Sequence, residues 1–98
     1  MIFVIDIDGT LSTNSNGNYK THIPYYDRIA RINRLYDSGN VIILYTARGT
    51  TSGKDWSDLT IKQLKYWGVK YHKLLFGKLQ YDIWIDDKAV NANDFFKE

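Results

Sequence analysis

Ile2-Phe3-Val4-Ile5-Asp6-Ile7-Asp8-Gly9-Thr10-Leu11 decides the reading of this chain. The first half is an unbroken run of β-branched and aromatic residues, the pattern of a strand buried on both faces of a parallel sheet. The second half breaks that run with acid. An Asp inside an apolar strand costs stability unless it is paired or bound to a cation. Side chains alternate along a strand, so Asp6 and Asp8 point the same way if strand geometry continues. Neighbouring carboxylates repel one another unless a cation neutralises them, and oxygen ligands of this kind suit Mg²⁺. Gly9 lets the chain turn sharply and lets the backbone come close to a ligand.

Beyond this stretch the chain alternates between helical and strand patterns. A polar loop, Ser12 to Lys20, is rich in turn-forming Asn, Ser and Gly. Pro24 suits the first turn of a helix, and Tyr25, Ile29, Ile32, Leu35 and Tyr36 follow at helical spacing, with Gly39 as the stop. Val41 to Tyr45 reads as a second buried strand. Trp56, Leu59, Gln63, Leu64 and Trp67 define a second helix, capped by Ser57 or Asp55 and ended by Gly68. A short strand at Leu74 to Phe76, a strand at Asp82 to Asp86 and a final helix at Ala89 to Phe96 complete the pattern. The alternation predicts a single α/β domain over residues 1–98, a three-layer Rossmann-like parallel sheet with helices on both faces.

Composition excludes several function classes. A net charge of +2 and the absence of a dense Lys/Arg run give no footprint for nucleic acid. With no cysteine there is no disulfide framework and no zinc–thiolate site, which fits a cytoplasmic protein. Met1 to Ile7 lacks a basic leader and is too short for a signal peptide or a membrane span. Eight Tyr, four Phe and three Trp are read mainly as core packing, with self-association into a homo-oligomer as a further expectation.

In open parallel sheets, sites form beyond the carboxyl ends of the strands. Asp6 and Asp8 end the first strand, Thr46 and Arg48 follow the second, and Asp86 and Asp87 end the expected last strand. If those strands are neighbours, the six side chains converge on one edge. Arg48 suits a phosphate because its guanidinium matches phosphate geometry, and an ion pair with a nearby acid is the structural alternative. His22 precedes Pro24 in a loop facing that edge, while His72 is expected at the surface near Lys70 and Lys73.

Asp6-Ile7-Asp8-Gly9-Thr10-Leu11 resembles the first motif, D-x-D-G-T-L, of the haloacid dehalogenase superfamily. Thr46 after the strand Val41 to Tyr45 resembles its second motif, Lys78 its third-motif lysine, and Ile85-Asp86-Asp87 its acidic fourth motif. Lys73 competes with Lys78 for the third position. The resemblance implies a phosphatase in which Asp6 attacks phosphorus to form an aspartyl-phosphate. Asp8 then protonates the leaving oxygen and activates water. It implies Mg²⁺ held by Asp6, by the Asp8 main-chain carbonyl and by Asp87, with Asp86 as the alternative ligand. Thr46 bonds phosphoryl oxygens, Lys78 screens charge, and Gly9, Thr10, Ala47 and Arg48 fall where relatives contact substrate. Asn91 falls near a position where relatives often place a second acid, and it also suits a helix start.

Neither gap between motifs leaves room for a cap domain, so the resemblance is to a capless enzyme with an open site. Tyr45-Thr46-Ala47-Arg48-Gly49, Gly77-Lys78 and Tyr81-Asp82 resemble small phosphatases of capsule and surface-polysaccharide synthesis, although Leu79 stands where those often have proline. That likeness implies a sugar phosphate or related small molecule as substrate. A polynucleotide 3′-phosphatase is the alternative, with Trp56, Tyr66 or Trp67 stacking on bases. A non-catalytic binding domain that kept the fold is a third expectation.

Overall fold

The computed structural model describes residues 1–15 and 17–97. Asn16, within the polar loop read from the sequence, and Glu98 lie outside the described residues. The elements in chain order are β1 (Ile2–Ile5), a 3₁₀ turn (Tyr19–Thr21), α1 (Tyr26–Asp37), β2 (Val41–Tyr45), α2 (Ser57–Trp67), β3 (Lys73–Leu75) and α3 (Ala92–Phe95). The strands form one parallel sheet in the order β1-β2-β3, with Ile5 opposite Leu44 and Tyr45 opposite Leu75. This is the small α/β architecture that the alternation predicts.

The sheet buries one face. Ile5, Ile42 and Leu44 pack with Ile29 and Ile32 of α1 and with Leu64 and Trp67 of α2 in a single cluster. Both helices therefore lie on the same side, and α3 joins them there. Phe95 meets Phe3 edge-on with ring centroids 6.1 Å apart, and Arg28 and Arg31 of α1 lie over the rings of Phe96 and Phe95. On the other face Ile2 and Val4 are 69% and 63% exposed. The expectation of helices on both faces is corrected here. Two right-handed crossovers that step in the same direction, β1 to β2 to β3, must both lie on one face. A third layer would need a helix on the opposite face, and α3, which follows β3, packs against Phe3 and Arg31 on the face of α1.

The second correction concerns the same segment. Asp82 to Asp86 forms no strand, and residues 81–90 are exposed throughout. Ile83 and Ile85 are 79% and 92% exposed. Helix ends follow the sequence more closely. Asp55 accepts from the Ser57 backbone N–H at 2.9 Å at the start of α2, and Gly68 closes it in the left-handed region. Asn91 caps α3 by accepting from the Asn93 backbone N–H at 3.0 Å. Pro24 sits ahead of α1 rather than in its first turn, bridged to Ser12.

Candidate active site

β1 ends one residue before Asp6, and the chain then wraps around the Ile7 carbonyl. The backbone N–H groups of Thr10, Leu11 and Ser12 all point to that oxygen, at 3.1, 2.8 and 3.3 Å. Gly9 makes the wrap possible, with φ of +84 that an L side chain rarely adopts. The wrap holds Asp6 and Asp8 at the carboxyl end of the sheet, beside the segment that follows β2.

Asp6 is bonded on both oxygens. Thr10 donates its hydroxyl to Oδ2 at 3.1 Å, and the Lys78 ammonium donates to Oδ1 at 3.2 Å. Burial pushes the Asp6 carboxyl above its ordinary pKa, and Lys78 and Thr10 only partly offset that push. For Lys78, burial acts downward, but the Asp6 charge and the bonds to Tyr81 and Asp6 outweigh it, so the net shift is upward. Lys78 is placed by its backbone: its N–H donates to the Thr46 carbonyl at 3.1 Å, and its own carbonyl accepts from the Thr50 hydroxyl at 2.8 Å. Lys73 lies in β3 and is exposed, so Lys78 is the lysine that reaches the acid.

Asp8 belongs to a different network. The Arg48 guanidinium donates to its Oδ1 at 2.7 Å through Nη2 and to its Oδ2 at 3.0 Å through Nε. His22 is 2.8 Å from the same Oδ1 through Nδ1. The other His22 ring nitrogen, Nε2, accepts from the Ser15 backbone N–H at 3.2 Å, so the hydrogen sits on Nδ1 and points at Asp8. Arg48 is only 2% exposed. It also donates to Thr60 Oγ1 at 3.0 Å and to Gln63 Oε1 at 2.7 Å, with the Tyr19 ring 4.7 Å away. Of the two sequence readings of Arg48, the structure shows the ion pair with a nearby acid and leaves no free fork for a substrate contact. Its fork is filled by Asp8 and α2, and it acts as the structural partner of an acid.

Thr46 is fully buried, and its Oγ1 accepts from the Arg48 backbone N–H at 3.1 Å. Ala47 and Gly49 line a cleft of about 180 Å³ together with Tyr19 and Trp56. A Cβ at Gly49 would lie 2.2 Å from the Lys54 carbonyl oxygen, so the loop closes only around glycine. A larger open cleft, about 500 Å³, is walled by His22, Gln63 and Tyr66 but by none of Asp6, Thr46 or Lys78. It lies beside the Asp8 network and not over the Asp6 carboxylate.

The expected fourth-motif acids do not join this group. Asp86 and Asp87 are exposed, and Asp86 accepts from the Lys88 backbone N–H at 2.8 Å within its own turn. That N–H, first among its neighbours, holds the Asp86 carboxyl below the ordinary range. Among the described residues, no group of three or more His, Cys, Asp or Glu side chains is arranged to hold a metal ion. One chain in this conformation therefore lacks the acid set that the Mg²⁺ expectation requires. The segment that should supply it is not seated on the sheet.

The residues the sequence undervalued are His22, Thr60 and Gln63. Gln63 carried a signal, because it interrupts the apolar stripe of α2. His22 gave no periodic signal, since it lies in a loop whose path only the fold fixes.

The fold is shared with a crystal structure of an MCSG target from Vibrio cholerae, with a TM-score of 0.89 and 24% identity over 99% of this chain and 88% of that one. At that identity the likeness concerns the fold. No family model and no curated protein matches the chain. No described helix is long and apolar enough to cross a membrane.

Proposed function

We propose that the chain is a phosphomonoester phosphatase with a capless haloacid-dehalogenase core, working through an aspartyl-phosphate on Asp6. The observation that carries this reading is the Asp6 carboxylate at the end of β1. It is bonded by Thr10 and by Lys78 at 3.2 Å, and it lies beside the end of β2, where Thr46 sits.

The chain's own residues divide the work. Thr10 and Lys78 orient the Asp6 oxygens, and the Lys78 charge lowers repulsion between an arriving phosphate and the carboxylate. Attack of an Asp6 oxygen on phosphorus expels the alcohol, and hydrolysis of the acyl-phosphate regenerates the acid. Asp8, which Arg48 and His22 hold in place, is the group assigned to proton transfer with the leaving oxygen. In the arrangement described, both Asp8 oxygens receive N–H donors, so proton donation requires one of those contacts to loosen. Mg²⁺ belongs to the same proposal and would supply charge neutralisation at the phosphate.

The substrate class proposed is a phosphorylated small molecule of the sugar-phosphate type, used in surface-polysaccharide synthesis. Trp67 is buried in the core, which removes one of the rings a polynucleotide reading would stack on bases. A screen of sugar phosphates, nucleotides and 3′-phosphorylated oligonucleotides, with and without Mg²⁺, tests the proposal. Phosphate release from sugar phosphates, lost in Asp6→Asn, is expected. Preference for the oligonucleotide replaces the substrate class, and no release from any member refutes the enzyme reading.

A further inference from the structure

A phosphate ester held at Asp6 must place its alcohol in the space beside that carboxylate. The cleft of about 180 Å³ begins where the site residues end. Ala47 follows Thr46, and Gln80 stands two residues after Lys78. The Lys78 N–H donates to the Thr46 carbonyl at 3.1 Å, and its ammonium donates to Asp6 at 3.2 Å. Both chain segments that border the cleft are therefore tied to the carboxylate. The cleft of about 500 Å³ has His22 and Gln63 in its wall and no residue from either segment.

The two clefts differ in charge. Among the described residues, none that lines the smaller cleft is Asp, Glu, Lys, Arg or His. The half-buried rings of Tyr19 and Trp56 line it together with exposed Thr51, Ser52 and Gln80, which bring hydroxyl and amide groups. The Lys54 ammonium sits over the Trp56 ring, 4.4 Å from its centre, and does not line the cleft. Aromatic surface with a few hydroxyl and amide groups suits a ring that carries hydroxyls. A charged group entering there would lose water and meet no opposite charge, which is unfavourable. The larger cleft has Lys20 and Lys62 in its wall and, among the described residues, no acid.

The smaller cleft is also braced. Tyr19 and Trp56 meet edge-on with centroids 4.9 Å apart, and the Tyr19 ring lies 4.7 Å from the buried Arg48 guanidinium. Gln63 donates to the Tyr19 carbonyl at 2.6 Å. The Thr50 hydroxyl donates to the Lys78 carbonyl at 2.8 Å and links the two bordering segments. A volume of about 180 Å³ falls below the roughly 300–1,000 Å³ of clefts that hold drug-sized ligands. It accommodates one sugar ring rather than two.

We propose that this cleft receives the leaving group and selects phosphomonoesters of a single uncharged sugar ring against bisphosphates, phosphorylated disaccharides and nucleic-acid strand ends. The assignment rests on the phosphatase reading above. In-line displacement points the leaving oxygen away from Asp6. Tyr19 joins the cleft to Arg48, which holds Asp8, the acid assigned to that oxygen.

The test compares kcat/KM, with Mg²⁺, for hexose 1- and 6-phosphates, glucose 1,6-bisphosphate, trehalose 6-phosphate and acetyl phosphate. The acetyl group is too small to need the cleft. The best hexose monophosphate is expected to exceed the bisphosphate and the disaccharide at least about tenfold. Gln80 is exposed, so Gln80→Lys keeps the fold and sets a cation in the cleft. It is expected to raise the bisphosphate-to-monophosphate ratio about tenfold. Trp56→Ala is expected to lower the hexose phosphate rate about tenfold relative to acetyl phosphate, through KM. Lys20→Ala/Lys62→Ala is expected to leave these ratios in place. A bisphosphate or disaccharide turned over as well as the monophosphate overturns the assignment. So do ratios that follow Lys20 and Lys62, or that stay fixed in Gln80→Lys. In each of those cases Asp6-dependent turnover of acetyl phosphate leaves the phosphatase reading standing. Acetyl phosphate left intact, or consumed equally by Asp6→Asn, overturns that reading and the cleft assignment with it.

Discussion

Replacing Arg48 by Ala should unfold this protein at moderate temperature. Arg48 is 2% exposed, and its guanidinium makes two contacts to Asp8 at 3.0 Å or less. Removing one member of a buried pair costs about 3–5 kcal/mol because the other charge is left without a partner. The Asp8 side chain keeps 15% exposure and its His22 contact, which argues for the lower end, about 3 kcal/mol. Thr60 Oγ1 and Gln63 Oε1 lose their donors as well, adding about 1 kcal/mol. For a domain of this size, about 4 kcal/mol lowers Tm by roughly 15–30 °C. It also removes much of a total stability of about 5–15 kcal/mol.

The double-mutant cycle with Asp8→Ala isolates the pair. Urea unfolding of the two single variants and the double variant should give a coupling energy of about 1–3 kcal/mol. Arg48→Lys should fall between wild type and Arg48→Ala, because it keeps the charge and loses the fork. Additivity within about 0.5 kcal/mol would show that Arg48 and Asp8 do not hold one another and would refute the network.

Asp6→Asn should reduce turnover at least about 10³-fold. The raised Asp6 pKa also sets the sign of a pH effect. The native chain retains the proton above the ordinary value of 3.8, where the unfolded chain has lost it, so this group's contribution to stability falls as pH rises through that window. The stability of Asp6→Asn relative to wild type should therefore climb from about pH 4 upward, and melting curves across pH 3 to 7 that run parallel contradict the assignment. Gly49→Ala, with its new Cβ 2.2 Å from a backbone oxygen and φ of +82, should cost about 3 kcal/mol in denaturant unfolding. Gly53→Ala at φ +71 has nothing within 4 Å and should cost about 1 kcal/mol. His22→Ala should lower kcat about tenfold with KM nearly unchanged, and His22→Asn, which retains a donor near the Nδ1 position, should recover part of the loss. An equal loss in both variants would mean that the ring fills space and does not position Asp8.

Much of the fold was legible because it depends on local patterns. The apolar run before Asp6, the helical spacing from Ile29 to Leu35 and the glycine after Trp67 each act within a few residues, and the elements formed where those signals stood. What the sequence could not show was the distance between elements. Asp82 to Asp86 has strand composition, but composition is silent on whether the segment pairs with a neighbouring strand, and here it does not. The second layer of helices failed because α3, the helix after β3, packs on the same face as α1, against Phe3 and Arg31. At the site, Asp6 and Lys78 meet because Asp6 follows β1 and the Lys78 N–H is held by the Thr46 carbonyl after β2. The Arg48 fork is filled because Asp8 and, from α2, Thr60 and Gln63 face it, a pairing that depends on helix rotation rather than on spacing along the chain.

The most direct test of the Asp6 nucleophile is the intact mass of the protein after acid quench during turnover of a sugar phosphate with Mg²⁺. The account predicts a single phosphoryl adduct that maps to the peptide containing Asp6 and is missing in Asp6→Asn. Turnover that leaves no adduct there and persists in Asp6→Asn would contradict it.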